Sequence, residues 1–84
     1  MNKYLVTIIV PQIEVEFDIY IPNNKKVGTI KENILKQVND ISNGSFNKSL
    51  KEIRMLDREI GIEYDNNIYV KDSKIRNGTK LVIL

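Results

Sequence analysis

The sequence predicts an α+β fold in which one helix covers a sheet of four to five strands. Three observations carry this. Residues 13–21 alternate strictly between apolar and polar, residues 27–41 place apolar side chains at helical spacing, and short β-rich segments fill the carboxyl half. Eighty-four residues suffice for a single domain over residues 1–84 with one modest core.

The alternating segment is Ile13–Ile21. Ile13, Val15, Phe17, Ile19 and Ile21 fall on one face, with Glu14, Glu16, Asp18 and Tyr20 on the other, the pattern of a half-buried strand. Ahead of it, Tyr4–Val10 is apolar on both parities. Tyr4, Val6, Ile8 and Val10 form the more continuous set, which favours them as the inward face over Leu5, Thr7 and Ile9. Pro11-Gln12 between the two runs lies in a turn, because proline cannot donate to a strand ladder. The chain therefore opens on a hairpin.

Val27, Ile30, Ile34, Leu35, Val38 and Ile41 then form one helical stripe, opposite Lys31, Glu32 and Asn39. Ser42-Asn43-Gly44 ends the helix, with Gly44 suited to a left-handed position. Lys25 and Lys26 crowd an amino end whose dipole favours acids, and Gly28 weakens the first turn by up to ~1 kcal/mol. In the polar loop Ser45–Lys51, Phe46 and Leu50 are expected to anchor on the core. Glu52–Leu56 reads as a third strand with Ile53 and Met55 on one face and Arg54 on the other. Asp57–Glu59 turns the chain, Ile60–Ile62 is a candidate return strand, Val70–Ile75 is an irregular or single-turn connection, and Lys80–Leu84 is the last strand.

Composition removes several classes of function. Cysteine and histidine are absent, which excludes disulfides, thiolate chemistry and the commonest general base and metal ligand. The net charge of +2 arises from interspersed charges, as on a solvated surface, so nucleic-acid binding is disfavoured but stays an alternative. The carboxylates Glu14, Glu16 and Asp18 form a ladder on one strand face, without the desolvation that catalytic acids need. Asp57, Glu59, Glu63 and Asp65 lack the spacing of a calcium loop, and Asn77-Gly78-Thr79 matches no phosphate-binding motif. No catalytic, cofactor or metal site and no small-molecule substrate is expected. Leu5–Val10 is too short for a signal peptide or a membrane span, so a cytoplasmic protein is expected.

The element order resembles the ubiquitin-like β-grasp fold over nearly the whole chain. The strand Ile53–Leu56, the turn Asp57–Glu59, the spacing of Val70, Asp72 and Ile75, and the ending G-T-K-L-V-I-L carry the likeness. That resemblance implies a mixed sheet with the first and last strands parallel at its centre. F-D-I-Y-I (Phe17–Ile21) and I-R-N-G-T-K-L-V-I-L (Ile75–Leu84) resemble the YukD/EsaB family of ubiquitin-like accessory proteins of bacterial type VII secretion. Such a relationship implies a non-catalytic accessory or regulatory role through protein contacts, with a secretion-machinery component as partner.

Two departures from ubiquitin shape the expectation. Conjugated modifiers and carriers end in a mobile Gly-Gly segment, whereas this chain closes on Ile83-Leu84, which disfavours the alternative of a modifier or carrier. The position matching ubiquitin's apolar receptor patch holds Arg54, so ubiquitin receptors are not expected to bind: an unpaired cation under an apolar surface costs on the order of 1–3 kcal/mol. The candidate protein-binding residues are Arg54, Val82 and Leu84, with Leu5 or Ile9 beside them.

Overall fold

The computed structural model describes residues 2–84. Its elements are β1 (Lys3–Val10), β2 (Val15–Pro22), α1 (Val27–Ser42), β3 (Met55–Asp57) and β4 (Lys80–Ile83). The four strands form one sheet in the order β2-β1-β4-β3, with β1 parallel to β4 and the other pairs antiparallel. The central β1–β4 pair accounts for the double-sided apolar character of Tyr4–Val10. Val6, Ile8 and Val10 face the core at no more than 1% exposure, as the continuity of that set predicts.

The hairpin differs from expectation at its turn. Ile13 belongs to a 3-10 turn at Pro11–Ile13 rather than to the strand, and Glu14 follows in the left-handed region at φ 53. Strand β2 begins only at Val15, so Glu14 drops out of the carboxylate ladder.

Helix α1 has the predicted bounds, and Asn43 (φ 52) and Gly44 (φ 81) together unwind its last turn. Gly44 donates its N–H to the Asn39 carbonyl at 2.9 Å. At the other end no side chain caps the helix. Val27 and Gly28 instead donate to the carbonyls of Ile68 (2.9 Å) and Asn66 (3.0 Å). The 66–68 segment thus supplies the negative ends that the dipole seeks, which is how the helix tolerates Lys25 and Lys26 there. A Cβ on Gly28 would meet the Asn66 carbonyl at 3.3 Å, so the glycine admits a loop that caps the helix.

Two residues of the helix are misassigned by periodicity, one placed opposite the stripe and one placed in it. Lys31 is buried at 5% exposure, with its amine donating to Asn66 Oδ1 at 2.9 Å. Ile41, in the last turn of the helix, is 49% exposed. Phe46 anchors its loop at 0% exposure, but Leu50 stays at the surface.

The third strand spans Met55–Asp57, shifted towards the carboxyl end from Glu52–Leu56. Residues 58–60 form a turn, and Ile60–Ile62 is not a return strand: only an isolated bridge joins Leu56 to Glu63, and the sheet has four strands. Asp57 drives that turn from the core side. It is 6% exposed, and its Oδ1 accepts the N–H groups of Glu59 (2.9 Å) and Ile60 (3.2 Å). Residues 70–72 form a single 3-10 turn, and Val70 and Ile75 are fully buried beneath the last connection.

Candidate protein-binding face of the sheet

Helix α1 covers one face of the sheet, while on the other face the alternate residues of all four strands remain accessible to varying degrees. Register sets their neighbours. Ile9 pairs with Val82, Val82 with Leu56, Ile9 with Glu16 and Leu56 with Glu63. An apolar row of three side chains thus crosses the sheet between two carboxylates. Residues directly opposite one another in a sheet are ~5 Å apart, so the row is a continuous surface.

Beyond the end of β3, Arg54 and Leu84 continue the ladder. The Arg54 N–H donates to the Leu84 carbonyl (2.9 Å) and the Leu84 N–H to the Arg54 carbonyl (3.0 Å). Both side chains therefore share the parity of Val82, and the structure brings the three predicted residues together on one face. Leu84 is 40% exposed.

Arg54 is not the lone cation that the sequence suggests. Its Nη2 and Nε donate to Oε1 of Glu63 at 2.9 and 3.1 Å. This hydrogen bonding holds the Glu63 carboxyl below the usual carboxylate range and raises the Arg54 guanidinium above its own. Covering Arg54 by an apolar receptor would therefore desolvate an ion pair rather than a single charge.

The same face has a second apolar cluster. Leu5 is 38% exposed and Tyr20, its cross-strand partner, is 63% exposed. The turn at Asn77-Gly78 borders them: Asn77 Oδ1 accepts the Leu5 N–H and Gly78 donates to the Leu5 carbonyl, each at 2.8 Å. Gly78 reaches this geometry at φ 87, which disfavours any side chain there. Between the clusters, Thr7 donates its hydroxyl to Asp18 at 2.7 Å, and Lys80 lies beside Thr7.

Leu56 and Glu63 join this face in the structure without being among the residues that the sequence predicts for it. Leu56 shares the parity of Arg54 two residues away, which is a usable signal. The link to Glu63 depends on a turn whose path local patterning does not reveal. No group of three or more Asp and Glu is placed to hold a metal ion among the described residues. No helix among them is long and apolar enough to cross a membrane.

No protein-family model matches the chain, and a search of curated proteins gives no match. Solved structures do match. The ubiquitin-like domain of Arabidopsis thaliana protein At2g32350 aligns with 100% of this chain and 78% of its own, at a TM-score of 0.71 and 18% identity. A chain of the MycP5-free ESX-5 inner membrane complex aligns at a TM-score of 0.78 and 13% identity. All of this chain corresponds there to 21% of that one. ATBAG1, solved in complex with HSP70, aligns at 0.67 and 16% identity over 96% of this chain and 39% of that one. The chain has the ubiquitin-like fold, with one helix on a four-stranded mixed sheet.

Proposed function

We propose that this chain is a non-catalytic ubiquitin-like protein that works by protein–protein contact through the exposed sheet face around Arg54, Val82 and Leu84. The carrying observation is the row Ile9–Val82–Leu56 with Leu84 and the Arg54–Glu63 pair at its edge. An accessible apolar row bordered by charge suits a partner with an apolar centre and a polar rim. Arg54 keeps its Nη1 donors for such a partner, because Glu63 is engaged by Nε and Nη2.

The partner is a component of a bacterial type VII secretion system, for which the chain acts as a cytoplasmic accessory or regulator. The motifs Phe17–Ile21 and Ile75–Leu84 support this reading, as does the likeness to a chain of the ESX-5 inner membrane complex. The test is capture of secretion-machinery components from the native host by the immobilised chain, by Arg54→Ala and by Leu84→Asp. Wild type is expected to enrich a machinery component and both variants to lose it. Enrichment of none overturns the secretion role. Equal enrichment by all three overturns the assignment of the face.

A further inference from the structure

The dipeptide Asn-Gly occurs twice, at Asn43-Gly44 and at Asn77-Gly78. In it an asparagine carboxamide is open to attack by its own backbone, because the following glycine has no Cβ to shield its nitrogen. The glycine nitrogen gives up its proton and bonds to the asparagine Cγ, the Cγ–Nδ2 bond breaks, and ammonia carries the proton away. The cyclic imide left behind takes up one water, at either carbonyl, to give aspartate or isoaspartate. The attack requires a glycine N–H released from its hydrogen bond and a carboxamide free to turn onto it.

The fold treats the two copies differently, although all four residues are exposed. At 77–78 both reacting groups are tied to one residue of β1. Asn77 Oδ1 accepts the Leu5 N–H and Gly78 donates to the Leu5 carbonyl, each at 2.8 Å. The turn is held again just beyond them, where Thr7 donates its N–H to the Thr79 carbonyl at 3.0 Å. Freeing Asn77 and Gly78 therefore breaks two bonds to a strand in the middle of the sheet, where local opening is rarest.

At 43–44 one bond stands in the way. Gly44 donates its N–H to the Asn39 carbonyl at 2.9 Å, in the last turn of α1, and helix ends fray. Among the described residues nothing bonds the Asn43 carboxamide. We infer that Asn43 is a site of spontaneous modification in the folded chain, converting to aspartate and isoaspartate, while Leu5 holds Asn77 unreactive. The new carboxylate sits at the carboxyl end of α1, where the dipole is negative and no basic residue in the last turn offsets it. Phe46 follows closely, fully buried and with its N–H on Ser42 Oγ at 3.4 Å, so the change loosens the loop that Phe46 anchors.

The test incubates the full chain in mildly alkaline buffer, folded and, in parallel, unfolded in guanidinium chloride. Peptide mapping by mass spectrometry follows conversion at each asparagine. In the folded chain Asn43 is expected to convert about tenfold or more faster than Asn77, because its opening is the more local one. In denaturant the two rates are expected to converge, since the dipeptide is the same. Native-state amide exchange read by NMR is expected to show Gly44 exchanging faster than Gly78. Equal rates in the folded chain, faster conversion at Asn77, or a preference for Asn43 that persists unchanged in denaturant overturns the proposal. So does a folded chain that converts at neither site while the unfolded chain converts, or a Gly44 amide that exchanges as slowly as that of Gly78.

Discussion

Tyr64 donates its hydroxyl to Oδ2 of Asp57 at 2.8 Å, and both residues are buried, at 5% and 6% exposure. Asp57 spends its other oxygen on the N–H groups of Glu59 and Ile60. One carboxylate therefore ties the end of β3, the turn after it and Tyr64 beyond that turn. Tyr64→Phe leaves Oδ2 without this donor and is expected to cost about 1 kcal/mol, whereas Asp57→Ala orphans three donors and costs about 2–4 kcal/mol. Urea unfolding of the two variants checks both the values and their order. Equal losses would mean that the turn bonds contribute nothing.

The buried Tyr64 phenol also contributes a pH dependence to stability at alkaline pH. Burial first, and then the hydrogen bond to Asp57, push the Tyr64 phenol well above its ordinary value of 10.0. The folded state thus holds this proton more tightly than the unfolded chain. Its contribution is complete below pH 10.0 and is lost progressively as pH rises above it. Wild type is expected to lose stability relative to Tyr64→Phe over that range, measured as the difference in urea midpoints between about pH 9 and pH 11. Parallel curves would refute the assignment.

Lys31 acts with the opposite sign. Its burial lowers the amine's pKa from 10.5, with the charge of Glu63 only partly offsetting this. The folded state holds the proton less tightly, so a cost stands at neutral pH and fades as pH rises through the lowered value towards 10.5. Lys31→Met keeps the aliphatic stem against the core and removes that cost. It is expected to raise stability by about 1 kcal/mol at pH 7, because Asn66 is exposed and its freed oxygen can bond water. The gain should shrink as pH rises towards 10.5. A loss at pH 7 would show that the bond to Asn66 outweighs the desolvation.

These residues mark where local patterning stops being informative. The strand over Val15–Ile21 and the helix over Val27–Ser42 are legible because each repeats one periodicity against one neighbour. Lys31 is not, since a lysine beside an apolar stripe looks the same whether its amine reaches water or a loop 35 positions away. Asp57 resembles any turn former, and nothing nearby in sequence reveals that Tyr64 buries it. The face containing Arg54, Val82 and Leu84 follows from parity alone, whereas Glu63 enters it through an isolated bridge to Leu56 across the turn that follows β3. The β2 edge is invisible without the strand order, because its alternation is the same for an edge strand and a central one.

Gly28 offers the sharpest contest between a local rule and the packed structure. By helix propensity alone, Gly28→Ala should gain up to about 1 kcal/mol. A Cβ there meets the Asn66 carbonyl at 3.3 Å and the Asn66 Cβ at 3.4 Å. That carbonyl cannot withdraw freely, because it accepts the Gly28 N–H at 3.0 Å and so caps the helix. Its side chain also holds the Lys31 amine, so displacing Asn66 disturbs two bonds together. The expected outcome is a net loss of about 1 kcal/mol, the propensity gain being outweighed by a strained cap. Pairing Gly28→Ala with Lys31→Met in a double-mutant cycle should recover part of it, since Asn66 is then free to shift. Strict additivity, or a stabilised single variant, would show that the 66–68 segment yields without cost.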